Sequence, residues 1–180
     1  LYEHHKVLTY PRTDSRYIGT DIVPTLKERL AACNIGPYRK YIPALLKGQI
    51  KTSKSFVDDK KVSDHHAIIP TEEFVQLEHM SSEERKIYDL VVRRFISVLY
   101  PAYEYEETTL SAEASGENFA ARGRRVLSPG WKAVYEDGFT LEEGDEEDLE
   151  NHGNALNQKL PALSQGDCLS IDRIVITTGK

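Results

Sequence analysis

Cysteine, tryptophan and methionine are scarce in this 180-residue chain, at two, one and one copies. Thiols as far apart as Cys33 and Cys168 build neither a disulfide framework nor a cysteine zinc site. Two reduced thiols in a cytoplasmic protein are the default expectation. No apolar run approaches the roughly 20 residues of a membrane span, so no membrane partner is expected. The opening Leu1-Tyr2-Glu3-His4-His5 lacks both Met and the charged-then-apolar pattern of a secretion signal. The chain reads as an internal piece of a longer protein. No internal repeat is present.

A positive surplus is also missing overall, with a net charge of −6. The distribution is uneven. Residues 1–70 carry 12 Lys and Arg against 7 Asp and Glu, a surplus of +5. Residues 71–180 hold the other 11 basic residues against 22 acidic ones, or −11. Nine of those acids fall within 136–150, and the stretch 136–157 reads as mobile and acidic. A mildly basic first part is compatible with nucleic acid on one face, though such a surplus is also common in proteins that never meet DNA.

Local patterns place the elements. Residues 6–9 predict a short strand. A helix is expected over 22–33, with Thr20 or Asp21 as cap, and a shorter one over 39–46. Residues 47–63 have no periodicity and predict a long surface loop. Ser81-Ser82-Glu83-Glu84 is a capping-box start. Behind it Ile87, Leu90, Val91, Phe95, Val98 and Leu99 recur at helical spacing until Tyr100-Pro101. Segments 104–112 and 117–126 predict a hairpin turning at Ser115-Gly116, 131–135 one helical turn, and 169–176 a last strand.

The chemistry-bearing motif is Leu8-Thr9-Tyr10-Pro11-Arg12-Thr13-Asp14-Ser15. Proline fixes its own φ and pushes the residue before it into extended conformation. On extended chain, Tyr10 and Arg12 point to the same side and flank a gap of roughly 6–7 Å. A phosphodiester fits such a gap, with the phenol facing phosphorus and the guanidinium on the non-bridging oxygens. In ordinary loops the same three residues merely pack and solvate. A second segment, Ser63-Asp64-His65-His66-Ala67-Ile68-Ile69-Pro70-Thr71, follows about fifty residues later.

In order and at this separation, the two segments resemble the active-site region of type IA DNA topoisomerases. Pro11 and the run His65-His66-Ala67 are similar to the bacterial topoisomerase III branch. The resemblance covers almost the whole chain and implies an α+β fold. Residues 1–100 would be the mainly helical, tyrosine-bearing gate domain. Residues 101–180 would be the later half of an antiparallel β-rich arch domain, with Leu127-Ser128-Pro129-Gly130-Trp131 and Gln165-Gly166-Asp167 as its recognisable pieces. The arch's earlier half would lie upstream of Leu1.

By match to that family, Tyr10 is the nucleophile, and Arg12 and His65 complete the catalytic set at the scissile phosphate. Arg12 and His65, with Asp14 and Ser15, are the candidate DNA contacts. Asp14 and Ser15 equally suit capping of the turn after the strand, with Asp14 also able to hold Arg12. His66, on the other face of an extended segment, has no assigned role. The tyrosines at 2, 17, 38, 41 and 105 are read as packing residues.

The family uses Mg²⁺ held by an Asp-x-Asp-x-Glu segment, and none occurs here, so the metal ligands would lie outside this chain and no metal site is expected within it. The resemblance implies a bacterial, cytoplasmic, nucleoid-associated enzyme acting on single-stranded DNA together with the missing metal-binding domain. The isolated piece would bind DNA weakly without cleaving it, and its exposed half-domain could self-associate edge to edge. Two other classes compete. One is a non-catalytic single-stranded DNA-binding or interaction module of the same fold. The other is a relaxase-type nuclease, which needs a clustered histidine triad that is not found here.

Overall fold

The computed structural model describes residues 1–136 and 160–175. A 3-10 turn, Val23–Thr25, runs into α1 (Leu26–Ala32); a second, Gly36–Lys40, precedes α2 (Ile42–Lys47). Short 3-10 turns at Asp59–Lys61 and Leu77–His79 lead to the long helix α3 (Ser82–Leu99). An antiparallel pair, β1 (Glu104–Ala114) and β2 (Glu117–Ser128), and a 3-10 turn at Gly130–Val134 follow. The architecture is α+β, helices first and the two-stranded sheet after. One compact unit holds Leu1–Glu104 and the described residues from Val126. The other holds Tyr105–Arg125 and the described residues 160–175.

The core lies in the first unit. Leu26, Leu30, Cys33, Ile42, Tyr88, Val92, Ile96 and Val134 are all fully shielded from solvent. Each large aliphatic among them is worth about 1.5–3 kcal/mol of transfer free energy. Helix α3 starts as its sequence dictates. Ser81 Oγ accepts from Glu84 N–H at 3.2 Å, and Glu84 Oε2 accepts from Ser81 N–H at 2.8 Å.

Its buried stripe is rotated from the expected one. Ile87 (54%) and Leu90 (69%) are exposed, while Tyr88, Val92, Phe95, Ile96 and Leu99 face inward. Two polar side chains join the inner face because each finds partners. Arg93 binds Asp89 at 2.8 Å and donates to Val134 O, and Tyr88 OH lies 3.4 Å from Cys33 Sγ.

Other expectations change as well. Neither Thr20 nor Asp21 caps the first helix. The Thr20 N–H and Oγ1 bind the Asp59 carboxylate, at 2.7 and 2.9 Å, and hold the 47–63 segment instead. That segment is not a free loop either. Phe56 is buried, and the 56–58 backbone pairs with Ile18 on both sides, through N–H···O bonds of 2.8 and 3.1 Å. The second helix begins at Ile42, three residues later than expected, because a 3-10 turn takes up Gly36–Lys40.

Residues 6–9 form no strand, only an isolated antiparallel bridge of Leu8 with Pro70, since proline brings no N–H to continue a ladder. The hairpin turn is where it was expected. Ser115 (φ 54°) and Gly116 (φ 82°) both take left-handed conformation, as a two-residue turn between twisted strands requires. Residues 169–175 are not a strand, and Leu169, Ile171, Ile174 and Val175 are exposed with no ladder partner among the described residues. Ile176 and residues 137–157 of the acidic stretch lie outside the described residues.

Chain order does not follow the units strictly, because from Val126 onward the chain belongs to the first one again. At Gly130 (φ 47°) a Cβ would stand 2.1 Å from Ala102 O, so only glycine allows the approach. Trp131 N–H then donates to Pro101 O at 2.9 Å, and Val134 docks against α3.

Candidate active site

The segment carrying Tyr10 is stitched to the segment carrying His65 along its length. Thr9 N–H donates to Ile69 O and Thr71 N–H to Val7 O, both at 3.0 Å. The Thr9 hydroxyl donates to Ala67 O at 3.3 Å and accepts from Ile69 N–H at 3.0 Å. Farther along, Thr13 Oγ1 donates to His65 O at 3.0 Å, and Ala67 N–H donates to Tyr17 O at 2.8 Å. Residues some sixty positions apart are thereby held in register.

Behind them sits Arg29 of α1, only 7% exposed. Its guanidinium donates to Pro70 O at 2.8 Å and to Thr25 Oγ1 at 2.8 Å, and meets Glu72 Oε1 at 2.7 Å. A buried arginine with all three arms engaged is a rigid brace.

This frame brings the Tyr10 and His65 rings to 4.4 Å between centroids, tilted by 44°. Tyr10 is half-buried and His65 exposed. Tyr2 packs edge-on with Tyr10, the ring centroids 5.3 Å apart.

Arg12 does not flank Tyr10 on a straight strand. Thr13 N–H closes back on Pro11 O at 3.2 Å, which bends the chain at Arg12. Tyr10 therefore lines one cavity, of about 660 Å³, with Tyr2, Lys6 and Glu72. Arg12 lines another, of about 410 Å³, with Asp14, Asp64 and His65. His65 lies against the phenol ring and also lines the guanidinium's groove. Arg12 and Asp14 are exposed and make no hydrogen bond or ion pair among the described residues, so Asp14 does not hold Arg12.

Ser15 is committed to the backbone: its Oγ donates to Lys61 O at 2.8 Å and accepts from Tyr17 N–H at 3.1 Å. Ser15 thereby makes contacts of the kind a turn cap makes, and the Asp14 side chain is exposed in Arg12's groove. The His66 ring meets Ala67 O through Nδ1 at 2.7 Å. No group of three or more His, Cys, Asp or Glu among the described residues could hold a metal ion.

Sequence reasoning missed the brace Arg29, the cross-links of Thr9 and Thr13, and the edge contact of Tyr2. Arg29 stands on a short helix with nothing to mark it as buried. The two threonines sit inside the motif, and a β-branched hydroxyl beside extended chain is the one signal that pointed to them.

The family model described as DNA topoisomerase matches residues 1–180. DNA topoisomerase 3 of Bacillus cereus (strain ATCC 14579) is 54% identical over 180 residues, all of this chain and 24% of that protein. The proteins of the same name from Bacillus licheniformis and Bacillus subtilis (strain 168) are 52% and 51% identical over the same span and share. The chain thus spans about a quarter of the length of these relatives. It belongs to the DNA topoisomerase family, type IA, and its similarity to topoisomerase 3 proteins runs from its first residue to its last.

Proposed function

We propose that this chain is the tyrosine-bearing part of an ATP-independent, single-strand-passing isomerase of DNA. In this reading the Tyr10 oxygen attacks the scissile phosphorus of one DNA strand. A 5′-phosphotyrosine bond forms as the 3′-oxygen leaves and takes up a proton as a 3′-hydroxyl. After another strand has passed through the gap, that hydroxyl attacks the same phosphorus and Tyr10 leaves. One phosphoester replaces another at each step, so no nucleotide cofactor is needed. An ordinary phenol has a pKa of about 10, so attack near neutral pH needs its proton removed or the developing charge neutralised. Arg12 supplies a fork of donors for non-bridging oxygens, a kind of contact whose loss costs about 10²–10³ in rate. The His65 imidazole packs against the phenol ring, and histidine is the usual side chain for charge or proton work near neutral pH.

The observation that carries this reading is the 4.4 Å approach of the Tyr10 and His65 rings, from segments 55 positions apart, with Arg12 lining the groove next to His65. In the same reading residues 1–100 are the gate domain and 101–180 the later half of an arch. Mg²⁺ is held elsewhere in the longer polypeptide, whose missing parts are the chain's natural partners. The protein works on DNA in the bacterial cytoplasm, at the nucleoid. The isolated chain neither cuts nor relaxes DNA. In the full-length protein, Tyr10→Phe is expected to abolish the covalent adduct with single-stranded DNA, trapped by denaturant, while non-covalent binding persists. An adduct still formed by Tyr10→Phe would remove Tyr10 as nucleophile. A wild-type protein that binds DNA but never forms an adduct would instead favour the binding-module reading.

A further inference from the structure

The cavity beside Tyr10 and the depression that adjoins Arg12's groove carry opposite charge. The cavity beside Tyr10 sets Lys6 against Glu3, Glu72 and Glu73, a surplus of −1 once the ion pair of Glu72 with Arg29 is counted. On the other side, Arg12's groove continues into a depression of about 320 Å³, the two sharing Asp14 and Ser63 as lining. That depression sets Arg16, Lys60 and Lys61 against Asp14, a surplus of +1 once the ion pair of Lys61 with Asp58 is counted. Arg16 and Lys60 are exposed, and neither side chain makes a hydrogen bond or ion pair among the described residues. Lys61 is fixed: its Nζ donates to Tyr17 OH at 3.2 Å, lies 4.4 Å from the centre of that ring and 3.6 Å from Asp58 Oδ2.

We propose that the depression bounded by Arg16 and Lys60 is a backbone-binding subsite for the DNA strand held at Tyr10, taking the phosphates on one side only of the scissile link. The inference rests on the function proposed above and adds a direction to it. A polyanion leaving Arg12 meets cations on the Arg16 side and like charge on the Glu73 side, so the strand departs over the basic flank. Two free cations with no protein partner lose nothing when a phosphate arrives, and counterion release favours the contact. Contacts to phosphate carry no sequence information, so the subsite is indifferent to base identity.

The test uses the full-length protein and single-stranded oligonucleotides, read by fluorescence anisotropy from low to moderate salt. Each of Arg16→Ala and Lys60→Ala is expected to make the slope of log K against log salt shallower by about 0.7, and the double variant by about 1.4. Lys27→Ala, an exposed cation on α1 with no part in the site, is the control and leaves the slope unchanged. Neither Arg16 nor Lys60 supports the fold through its side chain, so thermal melting should not move.

Methylphosphonate substitution, one phosphate at a time, then locates the contact. The wild-type protein should lose affinity at one or two positions on a single side of the cut, and the double variant should be insensitive there. An unchanged slope in the double variant, or sensitivity spread evenly to both sides, overturns the subsite. Either result with a normal Tyr10 adduct leaves the proposed function standing. Loss of the adduct in the otherwise unaltered protein strikes that function and not merely the subsite.

Discussion

The two compact units are held together by different physics. Among the described residues of the first, nineteen hydrophobic side chains are buried, and the charged side chains that enter the interior bring partners, Arg29 with Glu72 and Arg93 with Asp89. In the second, only Gly123 is buried among the described residues, and β1 and β2 expose both faces. What binds that hairpin is the ladder itself and cross-strand pairs on its surface: Arg124 with Glu107, Arg125 with Glu106, and the Arg124 guanidinium 4.0 Å over the Tyr105 ring. An isolated two-stranded ribbon is marginal in water. The candidate site stands on the unit that has a core, and the tolerance for misplacing Tyr10 against His65 is set there.

The widest expected gap between the units is chemical. Cys33 belongs to the core, and burial pushes its thiol from an ordinary 9.0 to about 11, although the Tyr88 hydroxyl bond and Arg29 pull the other way. Cys168, in the second unit, is exposed. With a thiol reagent at pH 8, Cys168 should react at once and Cys33 slower by on the order of a hundredfold or more, becoming equal in urea. Two thiols titrating together in native buffer would break the comparison. The same shift has a stability consequence. The unfolded thiol ionises first as pH rises, so the contribution of Cys33 is complete below about pH 9 and is lost on the way to 11.

Substitutions give the next gap. Ile96→Ala, at a fully buried position of α3, should cost about 2–5 kcal/mol by urea unfolding. Ile174→Ala, at a side chain 70% exposed, should stay within about 0.5 kcal/mol. Equal costs would mean that the second unit buries Ile174 in solution.

How far the sequence could be read follows the same division. Where a signal is local and complete, it was enough. The reciprocal bonds of Ser81 and Glu84 start α3 as written, and Ser115-Gly116 turns the hairpin because both residues take the left-handed conformation that the turn needs. Signals that depend on a remote partner were misread. Thr20 looks like a cap but is claimed by Asp59, and Ile87 looks like core because the partners that let Tyr88 and Arg93 inside lie far along the chain. The alternation of 169–175 had no ladder to join. At the site, the motifs named Tyr10, Arg12 and His65, but period-two reasoning put Arg12 beside Tyr10 on one straight strand. The bend closed by Thr13 on Pro11 separates their cavities and leaves His65 as the link.

The smallest expected effect tests the hairpin alone. Arg125 meets Glu106 across the strands at 2.7 Å, with both side chains more than half exposed. Such a pair gains little Coulomb energy in high dielectric and costs side-chain entropy, so it is worth about 0.2–1 kcal/mol. Arg125→Ala should therefore lower the protection of β1 and β2 amides from hydrogen exchange only a few-fold, and 1 M salt should reduce the wild-type protein's advantage toward zero. Protection across α3 should not change, because its bonds break only when the core opens. If Arg125→Ala also released α3 amides, the surface pair would be supporting the core, and the contrast between a packed unit and a laddered one would fail.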